Sequence, residues 1–126
     1  MILVDTDVLV WSLRGSESAR TWLRGARERE PLAISVVSIA ELTGGMKSGE
    51  RDRVWSLIAA LRAEPVTEVV ARRAGEFRRE YRASHVSIST PDYLIAATAD
   101  VVGASLATLN VKHFPMFEGL RAPFRV

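Results

Sequence analysis

Three acidic residues far apart in the chain, Asp5, Glu41 and Asp92, each stand where an apolar, strand-like run gives way to polar residues or a helix begins. Asp5 ends Ile2-Leu3-Val4, Glu41 follows Leu32-Ala33-Ile34-Ser35-Val36-Val37, and Asp92 opens Pro91-Asp92-Tyr93-Leu94-Ile95-Ala96-Ala97-Thr98-Ala99. In a parallel sheet, strand ends of this kind meet at the ligand-binding edge, so the pattern predicts one shared site. The chain has no cysteine, and carboxylate oxygens suit Mg2+, or Mn2+ in its place. Such ions keep several waters and bind through a few carboxylates plus substrate phosphate. Held there, an ion of this class polarises a phosphoryl oxygen and lowers the pKa of a bound water, which favours hydrolysis of a phosphodiester without a covalent intermediate.

Each acid also has a local explanation. Ser38-Ile39-Ala40-Glu41 matches a capping box, in which Glu41 would only satisfy the backbone N–H of Ser38. Thr90-Pro91-Asp92 reads as an N-cap, a proline at the first helical position and an acid favoured by the helix dipole, and Asp5 would then merely end a strand. All three falling at converging element ends by coincidence is the weaker account. Asp7 reads as an N-cap of the first helix or an outer partner of Asp5. Asp100 follows Asp92 by roughly 12 Å of helix, too far to share an ion. His113, beside Phe114, reads as a partly buried, hydrogen-bonded residue rather than a catalyst, and His85 lies in a loop. Trp11, Trp22 and Trp55 fall inside helical stretches, where packing outranks base stacking.

The elements that must position these residues alternate. Periodicity predicts strands near 2–5, 32–37 and 105–109, and helices near 7–13, 17–29, from about 39, 52–62, 68–83 and 91–102. Short extended pieces are expected at 65–67 and 124–126, and a flexible loop at 43–49 that lacks the phosphate-binding G-x-x-x-x-G-K-[ST] pattern. Val70, Ala74, Phe77 and Tyr81 form one apolar stripe along the longest helix, with Arg72, Arg73, Arg79 and Glu80 off it. Interleaved strands and helices imply an α/β/α sandwich of three layers around a mostly parallel sheet.

At 126 residues and 48% hydrophobic, the chain is expected to be one domain spanning 1–126. No run approaches the roughly 20 apolar residues of a membrane span, and no basic segment with a long apolar stretch precedes Ile2, so a cytoplasmic protein is expected. The net charge of +2 is mild, but Lys47 and Lys112 are the only lysines. The remaining cations are arginines, whose donor fork suits phosphate as well as it suits a solvated helix face.

Four segments in order resemble the PIN-domain family, and more narrowly its VapC-type toxin ribonucleases of toxin–antitoxin pairs. They are Ile2-Leu3-Val4-Asp5-Thr6, Ser35-Val36-Val37-Ser38-Ile39-Ala40-Glu41-Leu42, Pro91 to Ala99, and Leu106-Ala107-Thr108-Leu109-Asn110-Val111-Lys112-His113-Phe114. The resemblance implies a Mg2+-dependent endoribonuclease, usually a homodimer, inhibited by a small cognate antitoxin that fills the active-site groove. A transfer RNA or a ribosomal RNA loop is the target it suggests. Residue by residue it makes Asp5, Glu41 and Asp92 the catalytic metal site, with Thr6 and Asn110 in support. Two departures stand out: Asp7 occupies a position where many relatives have Asn, and Asn110 stands where a fourth acid is often found. Two other functions compete. One is a non-catalytic PIN-like domain that binds RNA or protein; the other is a phosphatase of the haloacid dehalogenase type, since Asp5-Thr6-Asp7 resembles its D-x-D motif, although Leu9 and the absence of paired late aspartates depart from it.

Overall fold

The computed structural model describes residues 1–126. Its centre is a four-stranded, all-parallel sheet of β1 (Ile2–Val4), β2 (Leu32–Ser35), β3 (Arg62–Glu64) and β4 (Ser105–Ala107), in the order β3-β2-β1-β4. The helices are α1 (Thr6–Leu13), α2 (Glu17–Arg29), α3 (Val36–Gly45), α4 (Arg51–Ala59), α5 (Glu68–Tyr81) and α6 (Thr90–Val102), with short 3-10 turns at Ser48–Glu50 and Val111–His113. No helix is long and apolar enough to cross a membrane.

The alternation of side chains along a strand divides the core into two layers. Leu3, Ala33 and Leu106 point to one face, where Val70, Ala74 and Phe77 of α5 and Ile95, Ala96 and Ala99 of α6 cover them. Ile2, Val4, Leu32, Ile34 and Ala107 point to the other, against Val8 and Leu9 of α1, Ala26 of α2, Leu42 of α3, and Val54 and Ile58 of α4. The central strands are apolar but for Ser35, which ends β2, because both faces are buried, as in other parallel sheets. The stripe along α5 is confirmed, with Val70, Ala74 and Phe77 buried and Tyr81 packed at the margin.

Helix starts follow hydroxyl and carboxylate caps, and this shifts several boundaries. Ser35 accepts from the Val37 N–H at 3.1 Å, so α3 begins directly at the end of β2, three residues before the predicted start. Ser38 is therefore inside the helix and caps nothing. Ser89, not Thr90, caps α6, in a reciprocal arrangement in which its hydroxyl accepts from the Asp92 N–H and Asp92 accepts from the Ser89 N–H. Asp5 rather than Asp7 caps α1. The expected extended piece at 65–67 lies instead at 62–64, as edge strand β3. The last strand stops at Ala107, and 124–126 form no strand; Phe124 packs on Trp22 with ring centroids 6.2 Å apart. Helix α3 continues through Gly45, so half of the expected loop is helical.

The chain builds the sheet outward from β1 through β2 to β3, then returns to place β4 on the other side of β1. The reversal leaves a crevice beyond the carboxyl ends of β1 and β4, the place where open parallel sheets bind ligands.

Candidate active site

Asp5 lies at that reversal. Its backbone N–H continues the ladder to the carbonyl of Ala107 at 2.8 Å, which carries its side chain to the mouth of the crevice. One carboxylate oxygen accepts from the Thr6 N–H at 2.8 Å, and the other from the Thr108 hydroxyl at 2.7 Å. Thr108 is fully buried and also accepts from the Asn110 N–H at 3.0 Å, so the residues after β4 are tied to the residue after β1. Asp5 is itself only 6% exposed. Burial, reinforced by the neighbouring charge of Asp7 and opposed by the bonds from Thr108 and Thr6, pushes its carboxyl up to about 7.

Asp7 is anchored as firmly. It accepts from the Val8 N–H at 2.7 Å and the Leu109 N–H at 3.0 Å, with the Thr108 hydroxyl 3.4 Å away. Burial nevertheless holds its carboxyl above the ordinary range. Of the two roles expected for it, the cap belongs to Asp5, and Asp7 stands beside Asp5 as a partner bridging α1 to the end of β4.

Glu41 projects from α3 and is exposed. Thr6 donates to its Oε1 at 2.7 Å and lies 2.8 Å from the fully buried Ser38 hydroxyl. Thr6 has one proton and an ionised Glu41 can only accept, so Ser38 supplies the hydrogen of the second bond. The expected Ser38–Glu41 capping box is thus replaced by a chain of Ser38, Thr6 and Glu41 that joins α3 to α1.

Asp92 sits in the first turn of α6. Its Oδ2 receives the Ser89 N–H at 3.2 Å, the Ser89 hydroxyl at 2.9 Å and His113 Nδ1 at 3.1 Å. The Asn110 side-chain amide lies 2.8 Å from the same imidazole nitrogen. The carboxylate can only accept, so Nδ1 donates its proton to Asp92; Asn110 Nδ2 is also a donor, and turning the amide over so that its oxygen faces the imidazole removes the conflict. His113 is therefore half-buried and hydrogen-bonded as expected, but its partner is a candidate site acid. Nothing in its local sequence shows that, because the contact spans 21 residues.

One cleft of about 360 Å³ is lined by Asp5, Thr6, Asp7, Glu41, Asp92 and Asn110, with Val10 and Trp11 of α1 and its C-cap Arg14 along its side. All five expected site residues are thus brought together. The acids face one space without closing on a point: no three acidic or imidazole side chains form a ready-made metal cage. Carboxylates spaced around a cleft of this size nonetheless fit a hard ion that keeps several waters. The elevated Asp5 carboxyl fits it too: burial first and the neighbouring Asp7 charge second disfavour its ionised form, and Arg14 is the one cation lining the cleft to offset them. Asp5, Glu41 and Asp92 are the residues that could hold such an ion. Beyond Val10, Arg14 and Glu41 the cleft runs into an apolar groove of about 440 Å³, walled by Leu13, Leu42, Met46 and Val54 with Lys47 and Glu50 at its rim.

The model of the PIN domain matches residues 2–115. The chain belongs to the PIN-domain family. This PIN domain is similar to Ribonuclease VapC10 of Mycobacterium tuberculosis, 63% identical over 126 residues, covering 100% of this chain and 95% of that one. It is 42% identical over 125 residues to Ribonuclease VapC19 of the same organism, covering 98% and 100% of the two chains. Among solved structures it resembles a chain of a toxin–antitoxin complex from Klebsiella pneumoniae, with a TM-score of 0.82, 26% identity and 100% of both chains covered. Within the PIN domains it therefore groups with the VapC proteins, and the resemblance to haloacid dehalogenase phosphatases falls away. Asp7, the second acid that such a phosphatase needs as a free proton donor, is here bound by two backbone N–H groups.

Proposed function

We propose that the protein is a Mg2+-dependent endoribonuclease, the toxin of a toxin–antitoxin pair. The observation that carries this reading is the buried Asp5 carboxylate at the sheet reversal, sharing one cleft with Asp7, Glu41 and Asp92. The high similarity to proteins named ribonucleases supports RNA as the substrate. A bound Mg2+ would supply electrophilic stabilisation of a phosphoryl oxygen and a water of lowered pKa. Asp5 and Asp92 would hold it: each Asp5 oxygen already accepts one bond from the protein and has a further lone pair to offer, while Asp92 takes all its bonds on Oδ2 and leaves Oδ1 free. Glu41, steadied by Thr6, would complete the acidic wall and orient water on the α3 side. Asn110 contributes a neutral amide where a further acid would add charge, so one ion is expected to bind firmly before RNA arrives.

The apolar groove continuous with the cleft suits the apolar face of an antitoxin helix, and a basic side chain from that segment would enter among the acids and stand in for the ion's charge. The toxin–antitoxin complex that this fold resembles supports a partner of that kind. A homodimer completes the proposed assembly.

Purified protein incubated with RNA and Mg2+, with EDTA as the control, tests the activity. Asp5→Ala and Asp92→Ala are expected to lose cleavage at least 10- to 100-fold, the range for changes that disturb a metal site even from outside it. Their circular dichroism and melting should remain those of a folded protein. Full cleavage by either folded variant would refute the assignment.

A further inference from the structure

Trp11 is half-buried yet packs into neither of the two apolar clusters that account for the core. Core or interface packing is what the sequence alone suggests for a tryptophan inside a helix; Trp11 joins neither core cluster, and its ring lines the acidic cleft. Three residues on, the exposed C-cap Arg14 sets its guanidinium over the Trp11 ring, 5.7 Å from its centroid, and borders the same cleft. Residues three apart share a helix face, so the aromatic ring and the cation present a joint surface beside the carboxylates. Trp11 is the one aromatic ring, and Arg14 the one cation, along a cleft that is otherwise acidic.

We infer that Trp11 and Arg14 form a nucleotide subsite beside the cleft, with Trp11 stacking one unpaired RNA base and Arg14 taking the phosphate next to it. The inference rests on the ribonuclease reading and deepens it. A polyanion approaching four carboxylates needs a compensating cation, and a guanidinium meets phosphate with a fork of donors. A base in a duplex has its faces covered by its neighbours, whereas a splayed loop base offers a free face to an aromatic side chain. Stacking is tolerant of base identity, so this subsite selects unpaired RNA rather than a sequence.

The test uses the full-length protein with a short single-stranded oligoadenylate and Mg2+. In a Trp22→Phe, Trp55→Phe background, Trp11 is the only indole, and its emission is expected to fall as the oligonucleotide binds. Trp11→Leu should raise KM for RNA cleavage roughly tenfold, the scale of one base–aromatic stack, with kcat nearly unchanged. Trp11→Phe retains a ring and should restore most of the affinity, which separates stacking from a folding defect. Arg14→Gln should reduce the salt dependence of binding by about one phosphate contact. Paired RNA of the same length should compete poorly. A protein that binds and cuts RNA with unquenched Trp11 emission, or whose Trp11→Leu variant keeps its KM, overturns the subsite and leaves the ribonuclease standing. So does a Trp11→Leu variant weakened only toward an antitoxin. Wild-type protein that neither binds nor cuts RNA removes both readings.

Discussion

A carboxyl held near neutrality by burial makes Asp5 a pH-dependent liability in the metal-free protein. Its pKa is raised from 3.8 to about 7, so over that span the folded chain keeps a proton that the unfolded chain has released. Stability from this group is greatest below the lower value, declines through the interval and is flat above it, a loss on the order of 4 kcal/mol at most. Metal-free protein should therefore melt lower at pH 8 than at pH 5 by more than the Asp5→Asn variant does, and Mn2+ should abolish the difference. Equal pH slopes in the two proteins would show that Asp5 is not protonated as described. Asn110 gives the opposite manipulation: Asn110→Asp adds charge at the exposed rim of the cleft, and should tighten Mn2+ binding in calorimetry while lowering metal-free stability. Two equally tight ions in the unmodified protein without RNA, or no change in Mn2+ binding on substitution, would place Asn110 outside the metal's reach. Asp5, Glu41 and Asp92 could be picked out as candidates because Asp5 and Glu41 follow apolar runs and Asp92 opens one. His113 and Thr108 were not, since they act on acids 21 and 103 residues away and their neighbours in sequence carry no trace of it.

Among the elements, α5 and α6 make the most extensive helix pairing, and two kinds of contact join their faces. Phe77 is buried against α6 and the sheet, while Arg73 bonds Asp100 at 2.7 Å with both side chains more than a third exposed. Burial decides the comparison: Phe77→Ala is expected to cost about 3–5 kcal/mol, against about 0.2–1 kcal/mol for Arg73→Ala. Urea titration measures both, and a larger loss at Arg73 would contradict the ranking. The α5 stripe was readable because a period of 3.6 over fourteen residues leaves little alternative. Edge strand β3 was not. Its sequence Arg62-Ala63-Glu64 is polar, and only its pairing with Ala33, Ile34 and Ser35 makes it a strand. The start of α3 was misplaced for a related reason, since Val36 and Val37 favour extended structure by type and the Ser35 cap turns them into a helix.

At the scale of the whole molecule, the acidic cleft and the apolar groove share Val10, Arg14 and Glu41, so occupants of the two are expected to compete. A purified complex with the proposed antitoxin should bind Mn2+ more weakly than free protein in calorimetry; equal affinity would separate the groove from the proposed metal site. The strand order has a consequence in time as well as in space. β1 is made first and β4 last, yet they are neighbours, and the Asp5–Thr108 bond closes a loop of nearly the entire chain. Contacts of such separation form late, because their closure entropy is met only after the intervening elements are packed. A chain still emerging from the ribosome and short of Ser105 has its acids but lacks the strand that aligns them. The cell that makes this protein thus meets an assembled cleft only after β4 has left the ribosome.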